Sequence, residues 1–321
     1  MDLFFQILYT IVPAALISAT PLLLTAMGGL FSERSGVVNI GLEGLMVFGA
    51  FSGILGTLLF ETLGFGYFSP WMGILTAVVI GAVFSLFHAV ASISLKADQI
   101  VSGVALNILA LGMGVYITRE IFDAGQTPTI SARLFRADVP FLSEIPIIGD
   151  TFFSRIYPTT WVAFALVLVV WYAVFKTPFG LRLRSVGEHP GAADTMGISV
   201  VKMRYIGVML SGALGGMGGA IYAITAAGNF SSGTIVGQGF MALAVLIFGK
   251  WHPFGAFGAA LFFGLAQALS ISAQSIPGLA NVPQVYMLIL PYVVTILALA
   301  GIVGKAEPPK ALNTHYEKGT R

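Results

Sequence analysis

Cysteine is missing altogether from these 321 residues, and charge is scarce, with acidic and basic side chains together at 9%. Without thiols there is no disulfide framework and no thiolate nucleophile, and the redox compartment goes uninformed. The four histidines, His88, His189, His252 and His315, are scattered. No His-Glu-x-x-His pair exists, so a zinc site has nothing to hold it. A phosphate loop needs Ser or Thr after its Gly-Lys, yet Gly249-Lys250 runs into Trp251 and Gly304-Lys305 into Ala306. No Gly-x-Ser-x-Gly elbow presents a serine. These absences leave covalent chemistry little to work with. The expectation is a chain that binds, gates and moves something, with no enzyme activity and no metal of its own.

What the chain has is apolar length. Hydrophobic residues make up 57%, gathered in blocks of about the 20 residues that a membrane-crossing helix needs. The pattern predicts an all-α polytopic membrane protein. Spans are expected over about residues 4–30, from Gly29 onward to 60, and over 71–95, 100–118, 159–175, 205–227, 254–273 and 286–302. The short apolar run 237–249 brings the total to about nine, with eight to ten compatible with the pattern. The transmembrane domain is then 1–304, with long loops at 119–158 and 176–204 and a charged tail, 305–321, expected to fray. Met1-Asp2-Leu3 lacks a basic region, so no cleavable signal is expected.

Orientation follows from the basic residues. Twelve of sixteen fall on one side: Arg34, Lys96, Lys176, Arg182, Arg184, Lys202, Arg204, Lys250 and four in the tail. Only Arg119, Arg133, Arg136 and Arg155 fall on the other. The positive-inside bias puts the tail and the 176–204 loop in the cytoplasm, and the N-terminus and the 119–158 loop outside. A net charge of +2 gives no nucleic-acid footprint.

The stretch from Gly29 to Gly53 is the most unusual. Glu33, Arg34 and Ser35 give way to an apolar run that still carries Asn39 and Glu43, with glycines at 41, 44, 49 and 53. An amide and a carboxylate inside a membrane span need a partner or a water-lined cavity. The composition predicts a discontinuous segment beside a pathway. Two readings of Glu43 stand side by side. In one it locks two helices, through Arg34 or a backbone amide; in the other it lines the path. Glu43-Gly44-Leu45-Met46 resembles Gln238-Gly239-Phe240-Met241, a weak repeat that would run in opposite directions, as inverted-repeat transporters do. Asn39, Asn107, Asn229 and Gln238 are further candidates for solute contact, although such residues more often bond helix to helix. Phe230 and Phe240 are the nearest aromatic walls. The glycines from Gly212 to Gly219 read as close helix packing.

The loop Thr177 to Ile198 predicts one short helix, with Pro190 in its first turn, Ala192 and Ala193 inside it and Gly197 past its end. Braced by Arg182, Arg184, Lys202 and Arg204, it is either a docking device or a solvated loop obeying the charge rule.

Several motifs together carry a resemblance. Ser35-Gly36-Val37-Val38-Asn39-Ile40-Gly41-Leu42-Glu43-Gly44, Asp98 through Asn107, Gly187-Glu188-His189-Pro190-Gly191-Ala192-Ala193-Asp194, Gly237 through Ala244, and Phe248 through Pro253 resemble the ABC-transporter permeases of the branched-chain amino acid, simple-sugar and nucleoside class. The likeness covers nearly the whole chain and is nearest to the second permease subunit of bacterial nucleoside importers. It implies a bacterial inner-membrane permease paired with a second, similar permease, most simply as a heterodimer. It also implies cytoplasmic ATPase subunits that hold the ATP and Mg, and an extracytoplasmic protein that delivers a nucleoside or sugar-like solute. Gly187, Glu188, His189, Ala192, Ala193, Asp194 and Gly197 would then form the coupling helix. One departure is His189, where the family more often has Asn. The rival reading is a stand-alone secondary transporter or channel with Glu43 as its ion or proton site.

Overall fold

A computed structural model describes residues 2–272 and 307–318, with a few positions between 282 and 296. The named elements are all helical: α1 (Asp2–Arg34), α2 (Leu42–Thr62), α3 (Ser69–Ala89), α4 (Gln99–Phe122), α5 (Pro158–Lys176), α6 (Pro178–Glu188), α7 (Pro190–Thr195), α8 (Val200–Tyr222), α9 (Gln238–Phe248) and α10 (Pro253–Ser272). Among the described residues there is no strand, only isolated bridges pairing Gln126 with Ser231 and Ala137 with Ile156. Single π-helical turns extend α3 to Ser94 and α8 to Ala227.

Seven stretches among the described residues are long and apolar enough to cross a membrane: 8–34, 42–62, 66–94, 99–122, 158–176, 200–227 and 253–272. The expected nine are not all found. With eleven residues, α9 rises only about 16 Å, roughly half of a hydrocarbon core about 30 Å thick. The expected last span, 286–302, lies largely outside the described residues. The tail also departs from expectation, because 307–318 lies folded against the ends of α6, α7 and α8 instead of fraying.

The bundle is built around α8. Burial separates centre from periphery: about 80% of the best apolar window is enclosed in α1 and α2 (78% and 83%), against 22% in α4 and 33% in α5. In lipid there is no hydrophobic drive between helices, so backbones must approach closely for dispersion contacts. The glycines of α8 allow it. A side chain at Gly212 would strike the Gly81 carbonyl of α3, and one at Gly219 the Met46 carbonyl of α2. On the facing helices, one at Gly49 would strike Gly216. Pro13 and Pro21 lie inside α1, a placement that packed neighbours make tolerable.

Candidate functional site

Residues 35–41 form the non-helical connection between α1 and α2 and are mostly buried. Buried irregular backbone needs its polar groups satisfied, and here side chains from three helices, α1, α3 and α4, do so while α8 meets the Asn39 side chain. Ser32 Oγ of α1 donates to the Val37 carbonyl at 2.8 Å. A His88 ring nitrogen of α3 lies 2.9 Å from the Val38 carbonyl. From α4, Gln99 Oε1 accepts from Val38 N–H at 2.8 Å, and Asn107 Nδ2 donates to the Ile40 carbonyl at 3.2 Å. Asn39 is fully buried and donates to Ser211 Oγ of α8 at 2.9 Å. The break is thus enclosed by protein, and Asn39 faces α8.

The carboxylate of Glu43, in the first turn of α2, accepts from the backbone N–H groups of Gly237 and Gly239, each at 2.6 Å. Those amides open α9, so Glu43 caps a helix N-terminus in trans, where unsatisfied donors and the helix dipole favour negative charge. Glu43 thus joins α2 to α9 through backbone amides, not through Arg34. A Cβ at Gly239 would run into the Glu43 backbone, so this close approach requires glycine. Asn107 Oδ1 completes the joint by accepting from Gly44 N–H at 2.7 Å.

At its other end, α9 is fastened again. Lys250 and Trp251 both hold left-handed backbone, with φ of 52° and 51°, a costly conformation for side-chain-bearing residues. Arg34 holds the turn, with Nε and Nη2 donating to the Trp251 carbonyl at 3.0 and 2.8 Å. Trp251 Nε1 donates to Glu33 Oε2 at 2.5 Å. In the same turn, burial and the Arg34 charge push His252 below its ordinary value, which keeps it neutral near pH 7.

The remaining candidates separate. Gln238 Oε1 accepts from Val236 N–H at 2.5 Å, and Asn229 Nδ2 makes a long 3.4 Å contact with Gln126. Phe230 is buried, edge-on to Phe51 with ring centroids 5.4 Å apart, whereas Phe240 is 49% exposed. Nearby Val236 is exposed too. An apolar groove of about 520 Å³ runs along α4 beside Ile108, Leu111, Tyr116, Arg119 and Ser232. Tyr116 was not singled out in the sequence, and Arg119 entered only the count of basic residues, because nothing in an apolar helix marks which face stays uncovered.

The second candidate surface is at the bundle end that bears the 307–318 segment. Thr177 caps α6 by accepting from Gly180 N–H at 3.3 Å, and Pro178 fits its first turn. Gly187, near the end of α6, packs on the Arg34 carbonyl, and Arg34 Nη1 lies 3.9 Å from Glu188. His189 Nδ1 accepts from Ala192 N–H at 3.2 Å and so caps α7. Asn would do the same job with its amide oxygen. Within α7, Ala193 points into the core while Gly191 and Ala192 are exposed. Gly197 closes the helix with φ of 79°. Met196 projects at 81% exposure; sequence reasoning missed it, since an apolar residue between Thr and Gly gives no period.

Long apolar helices joined by buried polar contacts fit a polytopic membrane transport protein. Residues 11–299 match the family described as branched-chain amino acid transport system / permease component, and the chain belongs to that family. It is a transport subunit and not an enzyme. The guanosine ABC transporter permease protein NupQ of Bacillus subtilis (strain 168) is 57% identical over 317 residues, 98% of this chain and 99% of that one. The nucleoside ABC transporter permease protein NupC of Lactococcus lactis subsp. cremoris (strain MG1363) is 49% identical over 312 residues, 97% and 98% of the two chains. A more distant relative, again of B. subtilis, is the guanosine ABC transporter permease protein NupP, 27% identical over 299 residues, 89% of this chain and 81% of that one.

Proposed function

We propose that this chain is the membrane-spanning subunit of an ATP-driven importer of nucleosides, seated in the bacterial inner membrane with its N-terminus outside. The full-length likeness to NupQ carries the solute class. Two B. subtilis proteins share the name guanosine ABC transporter permease, one near to this chain and one far, which favours a heterodimer of unlike permeases. An outside binding protein would deliver the solute, and ATP and Mg would sit on separate ATPase subunits. The exposed faces of α4 and α9, with Phe240 and Tyr116, are where a planar base would find an apolar wall. The test is uptake of labelled guanosine by cells depending on this transporter, with competition by nucleosides, pentoses and branched-chain amino acids. Competition by the amino acids alone would overturn the nucleoside reading.

Coupling has a physical route in this reading. A push on α7 from a closing ATPase pair reaches Glu188 and Gly187, then Arg34, the Trp251 turn and α9, and ends at Glu43. Alternating access would be a rocking of this locked pair of half-helices. The α2 and α9 starts would be the two arms of the inverted repeat, meeting at Glu43. They touch directly, so the path would run beside them, not between them. A ninth crossing by 286–302 would return the chain to the cytoplasm. The secondary-carrier alternative is weakened because both Glu43 oxygens already accept backbone N–H groups.

A further inference from the structure

Residues 307–318 form a strap across the face that carries α7. The Ala311 N–H donates to the Gly187 carbonyl at 2.8 Å, and Arg204 Nη1 donates to the Thr314 carbonyl at 2.9 Å. Lys96 Nζ pairs with Glu317 Oε1 at 2.6 Å, and Tyr316 lines one cleft with Asp194. Leu312 and Tyr316 pack on the apolar core, and Ala311 is buried. One short segment thereby joins the end of α6, the end of α7, the start of α8 and the α3–α4 connection.

Arg204 shows how much depends on this seat. It is 2% exposed, and its Nε and Nη2 meet no acceptor among the described residues. Among the described residues its guanidinium hydrogen-bonds to the strap, at the Thr314 carbonyl, and a buried cation without a partner is strongly unfavourable. A six-residue helix also cannot hold itself rigid. Pressed from outside, α7 would turn in place unless something ties it to the spans. The strap ties it on both sides, at Gly187 ahead of it and at Asp194 within it.

We propose that this strap is part of the surface gripped by the ATPase subunit, and that it converts a push on α7 into movement of the spans. The proposal rests on the coupling reading of α7 above. An open cleft of about 340 Å³ separates the start of α7, at Glu188, Pro190 and Gly191, from Lys310, Thr314 and His315 of the strap. A partner seated on Gly191, Ala192 and Met196 therefore borders the strap's polar outer edge, where Lys310, Asn313, His315 and Glu317 are exposed.

The test uses the assembled transporter in membranes, with ATP hydrolysis and uptake measured together. Glu317→Lys should lower solute moved per ATP hydrolysed severalfold while the permease stays in the membrane with its partner. The exchange Lys96→Glu with Glu317→Lys should restore it. Absence of any loss in the single variant, or absence of rescue in the double, overturns the strap's role. A chain stopped after Lys305 should weaken ATPase binding severalfold, and unchanged binding overturns the shared grip. Met196→Asp is the separate check on α7. If it leaves ATPase binding untouched, the coupling reading itself falls, whatever the strap variants do.

Discussion

At the scale of single residues, Glu43 carries the most weight. Its carboxylate takes two buried backbone donors, each charge-assisted bond contributing about 1.5–3 kcal/mol. Glu43→Ala would strand both donors and should cost about 3 kcal/mol or more. Glu43→Gln keeps one acceptor oxygen and should fall between. The four tryptophans give an intrinsic-fluorescence melt to rank the three proteins, and equal midpoints would count against the lock. The strap's charged residues set a pH window. Lys96 holds the Glu317 carboxyl below its usual 4.5, so its contribution is present above that value and fades as pH falls through the lowered one. Desolvation and Asp194 raise the Tyr316 hydroxyl above 10.0, so its contribution is complete below that value and fades as pH climbs through the raised one. A probe attached to an introduced cysteine, Asn313→Cys, should report a seated strap between pH 4.5 and 10.0 and a loosening one only as pH passes the lowered Glu317 value or the raised Tyr316 value. Seating that ignores pH would show that neither pair holds it.

At the scale of elements, α9 is a half-length helix held at both ends, and its two joints differ. The Glu43 joint is steric as well as electrostatic. Gly239→Ala should cost about 1–3 kcal/mol by overpacking against the Glu43 backbone. Gly112→Ala on α4, with nothing near its would-be methyl, should stay within about 0.5 kcal/mol. The Trp251 joint is a strained turn fastened by α1. Trp251→Phe removes the bond to Glu33 and strands a buried acceptor, at about 1–3 kcal/mol. If the route from α7 to α9 runs through this turn, the variant should also slow uptake more than its melting point explains. Uptake that tracks stability alone would reduce the turn to a structural clip.

At the scale of the whole molecule, the absence of cysteine makes topology directly readable. A thiol at Gly125, open on all sides, should react with an impermeant reagent in intact cells. One at Gly191 should react only after the membrane is opened. The reverse pattern would invert the orientation derived from the basic residues. The glycine-rich face of α8 was legible in the sequence, because small residues in a membrane helix have few uses besides close packing. So was the oddity of Asn39 and Glu43, because polar groups in apolar spans must be answered.

The identity of what answers them was not legible. Asn39 meets Ser211, 172 positions away, and Glu43 meets Gly237, 194 positions away; no local period encodes such pairs. The strap was misjudged for a related reason, since a charged polar segment reads as solvated until its seat is known. Composition and spacing by themselves determined the helical membrane class and the close-packed glycine face of α8, because each follows from transfer free energy and backbone preference along the chain. Only the tertiary structure decided that the break at 35–41 is enclosed, that Glu43 caps α9 and that Arg204 waits on the strap. Those are matters of which distant groups the packed helices bring within hydrogen-bond reach.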